Sequence, residues 1–220
     1  MPTFIALPAF KDNYIWLLAD DTTFKVTAVD PGDARPVISW LGRHPEYQLS
    51  TILLTHHHRD HTGGVLSLKA ATQCRVLGPD NPAIDGIDRT LADGDQINLA
   101  GQSIRVIAVP GHTLDHIAFF CDDPQEPWLL SGDTLFCGGC GRVFEGTPAQ
   151  MHDSLQRLAA LPAPDELRSR LTSALNDLPL KIDRLTPFVE DVARAKNEGP
   201  LTASALAGSS FAFAVQTLLL

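Results

Sequence analysis

Residues 50–64 read Ser50-Thr51-Ile52-Leu53-Leu54-Thr55-His56-His57-His58-Arg59-Asp60-His61-Thr62-Gly63-Gly64. The continuous apolar run from Ser50 to Leu54 has the length of a buried strand. It stops abruptly in imidazoles and a carboxylate, and a helix-like stretch continues to Ala71. A strand that ends in ligand-type side chains predicts a sheet whose working edge lies at its strand ends. His56 and His58 alternate, so an extended segment projects both rings the same way, and Asp60 and His61 follow across a tight turn.

The same pattern recurs on both sides of this stretch. Phe4 to Ala9, Tyr14 to Ala19 and Thr27 to Val29 read as strands, the last closed by Asp30-Pro31-Gly32, and Val37 to Arg43 reads as a short helix. Ile104 to Val109 runs into Pro110-Gly111-His112-Thr113, Ile117 to Cys121 follows, and Trp128 to Leu130 runs into Ser131-Gly132-Asp133-Thr134. From Pro148 to Ala160, Met151, Leu155 and Leu158 recur at the spacing of an amphipathic helix. Six candidate ligands thus stand at strand ends: His56, His58, Asp60, His61, His112 and Asp133. Imidazole and carboxylate donors suit zinc, iron or manganese. Six exceed what one tetrahedral zinc accepts, which points to two adjacent cations. By alternation His57 and Arg59 face away from the ligands, and His44, His116 and His152 are read as structural or surface residues.

With 220 residues, 44% of them hydrophobic and 20% charged, the chain is long enough for one domain with a small appendage and a substantial core. A net charge of −9 without a cluster of Lys and Arg argues against nucleic acid as a partner. Cys74, Cys121, Cys137 and Cys140 are read as mostly buried small hydrophobes, because the Cys137-x-x-Cys140 pair has no second pair at zinc-ribbon spacing. Residues 1–6 show no secretory signal, so a cytoplasmic location is expected. Residues 201–220 lack any charge, but polar residues such as Ser204, Ser209 and Gln216 interrupt them, so no membrane span is expected.

Thr55-His56-His57-His58-Arg59-Asp60-His61 resembles the T-H-x-H-x-D-H signature of the metallo-β-lactamase superfamily, and His112 and Asp133 match its next two ligands. Within it, several further segments resemble glyoxalase II, the hydroxyacylglutathione hydrolases: Asp12-Asn13-Tyr14, Asp30-Pro31-Gly32, Pro110-Gly111-His112-Thr113, Gly132-Asp133-Thr134-Leu135-Phe136, Gly139-Cys140-Gly141-Arg142 and Phe144-Glu145-Gly146-Thr147. The resemblance covers residues 1–163 and implies an α/β fold, an αβ/βα sandwich with a binuclear site at one sheet edge. It implies that His56, His58 and His112 hold a first divalent metal, zinc above iron or manganese, that Asp60 and His61 hold a second, and that Asp133 bridges them. The implied reaction is hydrolysis of an S-acylglutathione such as S-lactoylglutathione by a monomer, in methylglyoxal detoxification, with Asp60 and Asp133 as catalytic groups. Arg142 falls where the family presents a basic residue to a glutathione carboxylate. Phe144 falls at a substrate-binding position where some members carry tyrosine.

The resemblance stops after residue 163. The family places a further histidine for the second metal in a C-x-H-E-Y-T segment, where this chain reads Asp165-Glu166-Leu167-Arg168-Ser169-Arg170-Leu171-Thr172-Ser173, and no histidine follows His152. Residues 164–220 are therefore expected to form a divergent, incomplete helical segment, and the second metal to be weakly held. A mononuclear-iron glutathione persulfide dioxygenase, another hydrolase of the superfamily, and a metal-depleted relative serving as a binding module are the competing functions.

Overall fold

The computed structural model describes residues 2–11, 13–124, 127–136 and 139–162. Strands β1 (Thr3–Ala9), β2 (Asn13–Asp20) and β3 (Lys25–Val29) form an antiparallel meander. Asp33 then accepts the Arg35 N–H and starts helix α1 (Ala34–Arg43). This helix is a crossover, so the next strand, β4 (Gln48–Leu53), lies parallel to β3. Helices α2 (Arg59–Thr62) and α3 (Val65–Thr72) carry the chain to β5 (Arg75–Pro79), and β6 (Arg89–Leu91) completes a six-stranded sheet in the order β1-β2-β3-β4-β5-β6.

The second sheet is antiparallel: β7 (Gln96–Leu99), β8 (Gln102–Ala108), β9 (Ile117–Cys121) and β10 (Trp128–Leu130), in the order β10-β9-β8-β7. A short ribbon, β11 (Leu135–Phe136) with β12 (Gly139–Cys140), precedes helix α4 (Pro148–Ala159). Thr147 and Gln150 form a capping box at the start of α4, with Pro148 in its first turn, where a missing N–H costs nothing.

Three apolar clusters make this a four-layer sandwich. Val37 and Trp40 of α1 and Val65 and Leu68 of α3 pack on one face of the six-stranded sheet, against residues such as Leu17, Ala28 and Ile52. Leu18, Val29, Leu53 and Leu77 on its other face meet Ile104, Val106, Phe119 and Leu130 of the second sheet. The outer face of that sheet, with Ala118, Phe120 and Leu129, is covered by Met151, Leu155 and Leu158 of α4. Each of these α4 side chains contributes roughly 1.5–3 kcal/mol of transfer free energy. Strand β9 shows why the run Ile-Ala-Phe-Phe-Cys is unbroken: Ile117, Phe119 and Cys121 face one core and Ala118 and Phe120 the other. The layer order is the expected αβ/βα sandwich.

Three features differ from the sequence reading. Strand β4 ends at Leu53, so His56 and His58 stand on a bent loop instead of an extended segment. Opposite Val26 and Thr27 of β3 the register of β4 shifts, leaving Ser50 of β4 as an extra residue whose hydroxyl donates to Val26 O. Strands β5, β6, β7, β11 and β12 lack the apolar runs that marked the others; β5 holds Gly78 and Pro79, and β7 alternates with polar residues. Cys74, Cys121 and Cys140 are buried, as expected. Cys137 and residues 164–220, including the uncharged stretch 201–220, lie outside the described residues. No helix among the described residues is long and apolar enough to cross a membrane.

Candidate metal centre

The carboxyl ends of β3 and β4 meet the loops that flank β9 and follow β10 along one edge of the sandwich, where the Ile117 N–H donates to Thr55 O at 2.9 Å. Asp30 ends β3 with φ 50, a backbone conformation that turns its side chain under the histidine loop. Its carboxylate accepts the Thr55 N–H at 2.8 Å and the Thr55 hydroxyl at 2.7 Å, and its Oδ2 lies 3.1 Å from His61 Nδ1. Thr55 Oγ1 in turn lies 3.0 Å from His56 Nδ1. With that nitrogen engaged, His56 Nε2 is buried and has no hydrogen-bond partner among the described residues.

Around this orphaned nitrogen the other ligand-type groups converge. His56, His58 and His112 each offer an atom within 4.8 Å of the others, and so do His56, His61 and Asp133. His58 Nδ1 and His112 Nε2 are 3.0 Å apart, close to the edge of a tetrahedron about an ion with bonds of about 2.0–2.1 Å. His112 Nδ1 faces the Arg142 carbonyl at 2.8 Å, which orients the ring so that Nε2 points into the cluster. Asp133, a member of the second triad, also reaches the first, with Oδ1 3.5 Å from His61 Nε2 and Oδ2 3.4 Å from His112 Nε2. Asp60 is half exposed; its Oδ2 accepts from Asn13 Nδ2 at 2.9 Å and lies 3.5 Å from His61 Nε2.

The electrostatics divide the cluster into two halves. Burial, reinforced by neighbouring imidazoles, holds His56 neutral and pushes its pKa well down; burial lowers those of His58 and His112 as well. Neutral imidazole is the metal-binding form. His61 is the opposite case: burial opposes its charge, but Asp30, Asp133 and Asp60 outweigh burial and raise its pKa well above the ordinary value. A buried ring enclosed by three carboxylates is a place that favours positive charge, whether proton or metal. The hydrogen bond with His61 is the main reason that Asp60 stays well below the usual carboxylate range. Hydrogen bonding and charge from His61 do the same for Asp133 against its burial. An orphaned imidazole nitrogen, two convergent donor triads and this carboxylate ring fit a divalent metal centre.

A family model for the metallo-beta-lactamase superfamily matches residues 29–170. The chain belongs to the metallo-beta-lactamase superfamily. Within that superfamily it is 60% identical over 157 residues to a hydroxyacylglutathione hydrolase of Pseudomonas savastanoi pv. phaseolicola, covering 71% of this chain and 61% of that protein. It is 50% identical over 203 residues to the hydroxyacylglutathione hydrolase of Pseudomonas putida KT2440, covering 90% and 78%. These likenesses group it with the hydroxyacylglutathione hydrolases, the glyoxalase II branch, and the chain spans less than two thirds of the P. savastanoi protein's length. Among solved structures, ETHE1 from Myxococcus xanthus superposes with a TM-score of 0.64 at 30% identity, covering 73% of this chain and 71% of that one.

In this metallo-beta-lactamase domain five of the six candidate ligands read from the sequence, His56, His58, His61, His112 and Asp133, fall in the two triads, and Asp60 stands beside them, 3.5 Å from His61 Nε2. Arg142 contributes its carbonyl to His112, and its side chain is exposed. Phe144 is exposed, with its ring 5.5 Å from that of His58 and 5.2 Å from that of His112. Arg59 and His152 are at the surface, and His44 stacks on Trp40. Asp30, Thr55, Asn13 and His116 were not read as site residues. His116 is buried and stacked on His56 at 4.6 Å, and its Nε2 accepts the Asp133 N–H at 3.1 Å. Burial lowers its pKa to about 3, which keeps that nitrogen an acceptor. Gly132 makes room for this packing: at φ +48, a Cβ there would lie 2.6 Å from Thr55 Oγ1 and 2.7 Å from His116 Cε1.

Proposed function

We propose that the chain is a metal-dependent thioester hydrolase that cleaves S-(2-hydroxyacyl)glutathione, such as S-lactoylglutathione, to glutathione and a 2-hydroxy acid, in methylglyoxal detoxification. The observation that carries this reading is the orphaned, buried His56 Nε2 at the junction of two donor triads, with one Asp133 oxygen turned toward each. His56, His58 and His112 would hold a first ion and Asp60 and His61 a second, with Asp133 shared between them, and zinc is the first choice for this nitrogen-rich set. A divalent ion there would supply Lewis acidity and an acidified water near neutral pH.

The remaining steps belong to the chain. Asp60, whose Oδ2 is fixed by Asn13 Nδ2 at 2.9 Å, orients the nucleophile as a hydrogen-bond acceptor or takes its proton. The exposed Arg142 guanidinium pairs with a carboxylate of the glutathione moiety, offsetting the repulsion of a chain with net charge −9. Phe144 shields the His58–His112 side of the cluster with its ring and offers no hydrogen bond. The leaving thiolate, whose conjugate acid has a pKa of roughly 8.5, departs without a dedicated general acid. A cytoplasmic monomer completes the proposal, and the hydroxyacylglutathione hydrolase relatives support its substrate class.

The test is to purify the chain, measure bound metals by elemental analysis, and follow thiol release from S-lactoylglutathione. One to two equivalents of divalent metal with thioester cleavage are expected. Oxygen consumption with glutathione persulfide on a single iron, or a folded chain without metal or hydrolysis, would overturn the proposal.

A further inference from the structure

His57, the middle histidine of the triple run, points away from the metal cluster but is not idle. Its Nδ1 lies 2.9 Å from Asp115 Oδ1 and its Nε2 lies 3.1 Å from Glu145 Oε1. Asp115 is itself anchored: Oδ2 accepts from Asn81 Nδ2 at 2.8 Å, in the loop after β5. Burial opposes its charge, yet hydrogen bonds from Thr113, His57 and Asn81 hold its pKa below the ordinary value. Glu145 grips the His112 loop twice, accepting the Leu114 N–H through Oε2 at 3.0 Å and donating its own N–H to His112 O at 3.4 Å.

We infer that His57 is a positioning residue for the first metal triad, a strut whose two ring nitrogens join the loop bearing His56 and His58 to the loop bearing His112 through Asp115 and Glu145. This rests on the proposal that the triad holds metal. The physical reason is local. His57 sits between two ligands in the chain, so restraining its ring from both sides restrains the backbone that aims them. Asp115 and Glu145 restrain the segment that aims the third. Ligand separations are then set before an ion arrives, and affinity rises because less ordering remains to be done on binding. One ring atom of His57, one of His58 and a Glu145 oxygen also lie within 4.8 Å of one another. The 3.1 Å approach of Glu145 Oε1 to His57 Nε2 and the adjacency of His57 and His58 in the chain account for that proximity without a third ion.

The experiment uses the full chain stripped of metal. Zinc is titrated against a competing chelator into wild type and His57→Ala, Asp115→Ala, Glu145→Gln and His57→Ala/Asp115→Ala variants, with circular dichroism and melting curves alongside. Zinc affinity of the tighter site should fall about 10- to 100-fold in His57→Ala. The double variant should bind no more weakly than His57→Ala, because Asp115 acts through the ring. If His57→Ala does not fold, the Asp115→Ala and Glu145→Gln chains carry the test, each expected to lose affinity with an unchanged spectrum. Wild-type affinity in folded variants would overturn the strut, as would a third zinc equivalent in wild type that Glu145→Gln abolishes. Wild type that binds no zinc at all would instead remove the metal reading beneath it.

Discussion

Asp30 Oδ2 stands 3.1 Å from His61 Nδ1 while the same carboxylate takes both the N–H and the hydroxyl of Thr55. One buried acid thus orients a candidate ligand of each triad, His61 directly and His56 through Thr55. Carboxylate–histidine pairs of this kind fix the ring that meets a metal. Asp30→Asn should weaken the His61 half of the centre by about 10- to 100-fold, measured by zinc competition with a chelator.

Metal removal should also cost stability. An ion that binds only the folded chain adds about 2.7 kcal/mol when present at 100 times its dissociation constant. Dialysis against a chelator is expected to lower the melting temperature and zinc to restore it; coincident melting curves with and without metal would contradict this.

Gly132→Ala places a Cβ against Thr55 and His116 in a backbone conformation unfavourable for alanine. A loss of roughly 1–3 kcal/mol is expected, with weakened zinc binding because Asp133 must move. Urea unfolding and the same zinc titration would register both.

The α4 face gives a control remote from the centre. Leu155 is fully buried against the outer face of the second sheet. Leu155→Ala should destabilise by about 2–5 kcal/mol and leave zinc affinity per folded molecule unchanged, as calorimetry and metal titration would show.

Asp88 provides a pH dependence away from the ligands. Its carboxylate takes Lys69 Nζ at 2.5 Å and the Val76 N–H at 2.8 Å, and the Lys69 bond is the main reason its pKa lies below 3.8. A depressed carboxylate contributes stability above its unfolded pKa, and that contribution is lost as pH falls through the folded value. The stability gap between wild type and Asp88→Asn should therefore be full at pH 5 to 7 and shrink below about pH 4. Urea unfolding across that range checks the sign.

The parts legible in the sequence are those that local periodicity dictates. β9 and β10 fall at Ile117–Cys121 and Trp128–Leu130 as read, because unbroken apolar runs are what sheet strands covered by a layer require. The α4 face follows from the spacing of Met151, Leu155 and Leu158. The six candidate ligands are legible because imidazoles and carboxylates gathered just past apolar strand runs form an unusual pattern. The strands β5, β6 and β7 were hidden, because short segments with Gly, Pro or polar residues owe their pairing to neighbours and not to their own pattern.

Chemical identity and spacing along the chain therefore determined which residues gather and which layers they join. Only the tertiary structure decided what holds them in place: Asp30 under His61, His116 against His56, and Asp115 and Glu145 on either side of His57. These partners lie 31 to 88 positions from the rings they support and sit in loops without a repeat. Their pairing arises when two sheets close on a shared core and bring their loop edges within hydrogen-bonding reach, a consequence of packing that no local window of sequence contains.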